Sequence, residues 1–305
     1  MTRHVRIAPR ERTVRQVGLG PITFDAEFLG GYPEPAFAKG TGGFPFISTT
    51  APPSEGLFIP AYLGSPDVGL TNPGILTNYT GGSPIPLGTY VNKRFQGQFV
   101  SFDSSTFDNC LFEPSSNHAI LSRGGRMEFT DCEFGKIGAE ADRLLYNSGG
   151  TYTLIRCNLH DAEDGAKFAN GAIFQMCHVH DMQGAFPSPH YDCIQAEGTV
   201  NGGTAEFCNL DSRIRDGSGD GNAAMFIKAD LGHMNDIVIH NNYLNGGNYT
   251  ISLRTNGTPF NLVDTVVTDN IFGPDFNFGH RRVDSGTYAE WSGNVDSFGD
   301  PVTVG

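Results

Sequence analysis

The chain has 305 residues, including 40 Gly, 18 Pro, 23 Phe and 10 Tyr, and a formal net charge of −13. That density of Gly excludes a mainly helical protein, the aromatic content excludes a chain disordered throughout, and the acidity argues against a general nucleic-acid surface. No run of about 18 apolar residues is present, so no membrane-spanning helix is expected.

Residues 1–15 carry Arg3, Arg6, Arg10, Arg12 and Arg15 against Glu11 alone, although the whole chain is acidic. Two readings fit: a solvated terminus, or an arm that orders on an acidic partner. No apolar segment follows these arginines, so a secretory signal is not expected and synthesis in a cytoplasm is. Residues 16 to about 95 are rich in Gly, Pro, Ser and Thr, as in Gly30-Gly31-Tyr32-Pro33-Glu34-Pro35 and Gly81-Gly82-Ser83-Pro84. Such text predicts extended, irregular chain wrapping a neighbour. Residues 1–95 are therefore expected to form a docking segment and residues 96–305 the folded domain.

From residue 96 a phrase recurs. It reads Phe107-Asp108-Asn109-Cys110-Leu111-Phe112, then Phe129-Thr130-Asp131-Cys132-Glu133-Phe134, and continues around Cys157, Cys177, Cys208, Asn242, Asn270 and Asn294 at intervals of 22, 25, 20, 31, 34, 28 and 24. Between the copies lies a second strand-like phrase closing on Gly, as in Ala119-Ile120-Leu121-Ser122-Arg123-Gly124. Two short strands and two variable turns per repeat, without helical periodicity, predict an all-β fold, a right-handed parallel β-helix whose coils stack at about 4.8 Å. Like residues then lie over like: Cys packs as a small hydrophobe and stacked Asn amides bond along the axis. A β-sandwich also accommodates many short strands, but does not make one residue type recur at one register. The six cysteines include no C-x-x-C, and parallel Cβ vectors in a ladder do not suit disulfides, so reduced, buried thiols are expected.

The phrases His190-Tyr191-Asp192-Cys193-Ile194-Gln195, Asn241-Asn242-Tyr243-Leu244-Asn245-Gly246-Gly247-Asn248-Tyr249 and Trp291-Ser292-Gly293-Asn294-Val295 carry a resemblance. They resemble the pectate-lyase-like right-handed β-helix proteins of actinobacteria and of the tailed phages that infect them. In that group the first phrase usually reads His-x-Asp-Gly-Ile-Gln, and here Cys193 stands at the Gly. The resemblance covers roughly residues 85–305 and implies a minor tail protein that touches or trims host-surface glycans.

Aligning the second phrase on its closing Gly places Leu121, Tyr146, Phe168, Gln195, Lys228 and Arg254 in one outward row, with Lys167 and Ile194 inward. Aromatic faces stack on sugar rings, and Lys or Arg pair with uronate or phosphate oxygens. The same row also suits a solvated face or an interface between copies. A polysaccharide lyase needs a base and a cation, roles open to His190, Asp192, Lys228 and Arg254. Strand parity, however, turns Asp192 inward. Tyr146, Phe168, Gln195 and Asp164 are the expected binding residues. Asp161, Glu163, Asp164 and Asp181, with His160, His178 and His180 nearby, suit a glycosidase pair, a Ca²⁺ site or turn caps. Asp216-Gly217-Ser218-Gly219-Asp220-Gly221-Asn222 begins like a calcium loop but has Ile227 where the closing Glu belongs, and a Gly turn is expected. No metal motif is complete, so no cofactor is expected.

Two functions follow from this reading. One is a virion tail component, a homo-oligomer (trimer favoured) that docks on other tail proteins through residues 1–95 and contacts host-envelope polysaccharide. The other is a lyase or glycoside hydrolase of the same fold.

Overall fold

The computed structural model describes residues 68–305 apart from 116, 140, 185–189, 256, 258, 285–286 and 305. Before residue 68 it describes only the short strand pairings Arg3–His4 with Ile22–Thr23 and Ile7–Ala8 with Glu11–Arg12. The docking role expected of residues 1–95 thus falls largely outside the described residues.

The chain winds into a parallel β-helix with three sheets. Sheet I runs from Thr77–Asn78 to Val295–Asp296 with ten strands, and sheet II from Phe99–Ser101 to Gly279–Val283 with eight. Sheet III runs from Thr89–Val91 to Glu290–Ser292, with Leu262–Val263 as an extra strand beside Met234–His240. Strands before residue 96, Thr77–Asn78 and Thr89–Val91, already belong to this stack.

Each coil therefore carries three strands, not the two expected. The difference lies inside the recurring phrase. Its third residue adopts a left-handed conformation in every coil: Asn109, Asp131, Arg156, Met176, Phe207, Asn241 and Asp269 have φ between 49° and 60°, and Gly293 has φ 64°. A residue with positive φ cannot continue a strand. It ends the strand on sheet III, and the next two or three residues, such as Leu111–Glu113 or Asn158–His160, begin sheet I. Strands that short show no alternation in sequence.

The residue after each of these bends is the predicted register residue, and the stacking is as expected. The thiols of Cys110, Cys132, Cys157, Cys177 and Cys208 reach the carbonyls of Tyr90, Phe107, Phe129, Leu154 and Phe174 on the preceding coil at 3.4–3.6 Å. The amides of Asn242, Asn270 and Asn294 donate to the equivalent carbonyls of Ala205, Ile239 and Val267 at 2.8–3.0 Å. Asn adds a second link, because Oδ1 of Asn270 and of Asn294 accepts the backbone N–H of Asn242 and of Asn270 on the coil before. All six cysteines are free and buried. Burial pushes the thiols of Cys157, Cys193 and Cys208 well above the ordinary range, which keeps them unreactive.

Inward positions form columns along the axis. Under sheet I, Phe95, Phe112 and Phe134 stack at centroid distances of 4.6 and 4.7 Å and give way to Leu159, Val179, Leu210 and Leu244. Phe107 and Phe129 stack at 4.8 Å under sheet III. Truncating one such ring to Ala typically costs about 3–5 kcal/mol. Ahead of the first strand, residues 69–72 lie along the corner between sheets III and I: Gly69 N–H donates to Arg156 O at 2.8 Å and Asn72 N–H to Asn109 Oδ1 at 3.0 Å. A Cβ on Gly69 would stand 2.8 Å from Cβ of Asn158, so this close approach requires glycine.

Candidate functional site

The outward face of sheet II gathers most of the predicted site residues, at a register different from the one the closing glycines suggest. Strand pairing puts Lys167 beside Gln195, Gln195 beside Phe226, Phe226 beside Ser252 and Ser252 beside Arg282. Leu121 pairs with Tyr146, one residue beyond the Leu145–Ala166 step of the same ladder. The outward row is thus Leu121, Tyr146, Lys167, Gln195, Phe226, Ser252 and Arg282. Lys167, expected inward, lies on it. Phe168 is instead buried in the core, its ring 5.7 Å from that of Phe174. Lys228 and Arg254 pair with each other two residues further along, in line with Glu197. The error has one cause: the turns after these strands differ in length, so the closing Gly is not a constant mark.

At the last coils this face holds a depression of about 110 Å³ lined by Asn222, Phe226, Asn248, Tyr249, Ser252, Arg254, Phe278 and Arg282. Phe278 is 69% exposed, and the Arg282 guanidinium lies 5.9 Å from the centroid of the Tyr249 ring. Three aromatic rings and two guanidinium groups thus surround a small polar floor.

Asn222 connects this depression to a buried polar nest. Its amide donates to Asp192 Oδ1 at 2.8 Å, and Gln195 Nε2 donates to Asp192 Oδ2 at 3.1 Å. Asp192 therefore shares the outward side with Gln195, contrary to the parity argument, although it is fully buried. Its backbone N–H donates to Asp164 Oδ1 at 3.2 Å. The Lys167 ammonium donates to Gln195 Oε1 and, at 2.7 Å, to Glu197 Oε2. Burial raises the Asp164 carboxyl to about 6, against the opposing pull of Lys167 and Arg143. Burial and the neighbouring Asp164 push Asp192 well above the ordinary carboxylate range, and the Asn222 hydrogen bond only partly opposes this.

The remaining expected residues lie elsewhere. His190 is exposed, and its backbone N–H donates to Glu163 Oε1 at 3.1 Å. Lys228 is engaged by Asp230. The acidic cluster read around residues 161–181 is divided by the fold. Asp164 belongs to the nest, whereas Asp161 and Asp181 sit at the corner between sheets I and II. There His160 Nδ1 bonds Asp161 at 2.5 Å and Nε2 bonds Glu133 at 3.2 Å, while Arg215 pairs with Asp161 at 2.5 Å. Burial alone would lower His160, but these two carboxylates outweigh it and raise it to about 9. His178 goes the other way, to about 3, because burial and the neighbouring His180 and His160 disfavour its cation.

The Asp216 carboxylate accepts the Ser218 N–H at 2.8 Å, with Gly217 and Gly221 at positive φ, so this loop is a Gly turn. Among the described residues, no group of three or more His, Cys, Asp and Glu is arranged to hold a metal ion, and no helix is long and apolar enough to cross a membrane. Sequence reasoning missed Lys167, Asn222, Phe226 and Arg282. Phe226 had a signal in the strand-like phrase that closes on Gly232, but only strand pairing fixes its row, and Arg282 lies outside the recurring phrases. No family model, curated protein or solved structure matches the chain.

Proposed function

We propose that the protein is a glycan-contacting β-helix of a phage tail, with the outward face of sheet II as its contact surface. The observation that carries this reading is the depression where Phe226, Tyr249 and Phe278 meet Arg254 and Arg282. Aromatic rings give sugar rings an apolar face to stack on, and guanidinium groups supply paired donors for carboxylate or phosphate. Their concentration on the last coils of an acidic chain selects for an anionic partner there. Placement in a tail is supported by the resemblance of the phrases around Asp192, Asn242 and Asn294. A homotrimer docked on other tail proteins through residues 1–95 completes that reading.

A second reading, cleavage of the bound glycan, is favoured by one specific observation. Asp192 and Asp164 are buried carboxyl groups raised above the ordinary range, and Asn222 joins them to the depression. Asp192, pushed well above the ordinary range, holds its proton to higher pH than a free carboxyl, as a general acid must, while Asp164, at about 6, is the ionised neighbour at neutral pH.

One experiment addresses both readings. The purified chain is incubated with host-envelope polysaccharides while binding, reducing ends and ultraviolet absorbance of unsaturated products are followed. Binding without new ends supports the contact role. Binding with new ends that disappear in Asp192→Asn supports cleavage, and no binding to any envelope glycan overturns the proposal.

A further inference from the structure

The outward face of sheet II carries a second cation–aromatic group, far from the depression. On the strand Ala141–Asn147, the Arg143 guanidinium lies 4.8 Å from the centroid of the Tyr146 ring, and the His118 ring on the preceding strand is 6.4 Å from Tyr146. Arg143 pairs with Asp142 at 2.9 Å, while its buried Nε has no hydrogen-bond partner. Arg143 and Tyr146 are both half-buried, and both belong to the face that ends in Ser252 and Arg282.

Between the two groups the chemistry reverses. Asp164, Asp192 and Glu197 supply three carboxyl groups there, and Lys167 is spent on Glu197 and Gln195. A ligand lying along the axis thus meets the Arg143–Asp142 pair beside the Tyr146 ring, mainly carboxyl groups in the middle, and cations at Arg254 and Arg282. Tyr146 and Ser252 are separated by four strand steps, about 19 Å at about 4.8 Å per step. An anionic group in the middle would stand beside Glu197, which is exposed; among the described residues its ion pair is with Lys167, and Lys228 on the strand beside it is taken up by Asp230. Like charges placed together in an interface cost affinity and so act against the wrong ligand.

We propose that this face binds a glycan whose anionic groups are spaced, one set held at His118, Arg143 and Tyr146 and another at Tyr249, Arg254 and Arg282, with uncharged sugars between them. The inference rests on the glycan-contact reading and adds a second subsite and a charge pattern to it. A uniformly charged polyuronate is then a poor ligand because every unit facing the middle brings a charge. Two linked subsites bind a long chain much more tightly than either binds a short one, because the second contact becomes intramolecular.

The test is a calorimetric titration of the full chain with three probes, each as short and long oligomers: deacylated gellan, in which one uronate is followed by three neutral sugars; polygalacturonate; and dextran. Gellan affinity is expected to rise steeply with length and to exceed that of the other two polymers. Arg143→Ala is expected to lower long-gellan affinity by about tenfold or more, the usual effect of losing a charge-assisted hydrogen bond, and to leave short-oligomer affinity unchanged. Tyr146→Ala provides an independent variant with the same expected pattern, and circular dichroism confirms that each variant is folded. Equal or tighter binding of polygalacturonate overturns the charge pattern. Unchanged long-chain affinity in both variants overturns the second subsite while the depression at Arg282 stands. If no short anionic oligomer binds at all, the glycan-contact reading fails as well.

Discussion

Two polar clusters, joined by the short run from Asp161 to Asp164, solve the problem of charge in opposite ways. At the corner between sheets I and II, His160 is held between Asp161 and Glu133, and Arg215 covers the other oxygen of Asp161. Each charge there has an opposite partner. On the outward face of sheet II, Asp164 and Asp192 lie against each other, and burial raises both carboxyls. The corner cluster is matched internally and has nothing left to offer a ligand. The nest is mismatched, and it adjoins the depression at Tyr249 and Arg282 through Asn222. Unmatched ionisable groups beside a depression are the pattern that the proposed contact reading calls for.

The largest effect is expected at the matched cluster. Asp161→Ala leaves His160 and Arg215 facing each other without their shared carboxylate, and breaking a buried pair in this way costs about 3–5 kcal/mol. Denaturant unfolding at neutral pH measures it. The sign of the pH dependence follows from the raised His160: its stabilisation is complete below the ordinary histidine value of 6.5 and is lost as pH rises through about 9. The Asp161→Ala protein is expected to keep only the smaller part of this alkaline loss that Glu133 supplies.

The nest behaves oppositely. The folded-state value of Asp164, about 6, lies above the ordinary 3.8, so ionisation opposes folding and stability falls as pH rises from about 4 to 6. Asp164→Asn is expected to gain about 1–2 kcal/mol at pH 7 and nothing at pH 4. Carboxyl titration by NMR adds a second measure, because removing the Asp164 charge lowers Asp192. Next in size is Arg282→Ala, expected to weaken binding of anionic oligosaccharide by about tenfold, or about 1.4 kcal/mol. As an exposed side chain it is expected to change unfolding stability by less than about 0.5 kcal/mol. The smallest effect lies in the scaffold. Met176 occupies a left-handed bend with φ 55°, a conformation Asn tolerates better, so Met176→Asn is expected to raise stability by about 0.5–1 kcal/mol.

The scaffold was far more legible in sequence than the site. Cys110 through Asn294 recur because every coil needs a small or amide side chain at one bend, reaching the carbonyl of the coil before. A requirement repeated eight times leaves a visible trace. The third strand left none, since a single left-handed residue such as Asn109 or Met176 divides what reads as one continuous strand. The row on sheet II was misread for a related reason. Turns such as those after Lys167 and Gln195 vary in length, so Phe168 took the place that belongs to Lys167. Asn222, which joins the nest to the depression, sits in a Gly-rich turn whose text resembles an ordinary loop. Site residues occur once each, and pairing across strands, not periodicity, brings them together.

The most direct test of the contact face is amide chemical-shift mapping with an acidic oligosaccharide. Shifts concentrated at Phe226, Tyr249, Ser252, Arg254 and Arg282, and abolished in Arg282→Ala, are the expected result. Shifts confined to sheet I or sheet III, or unchanged by that substitution, would contradict it.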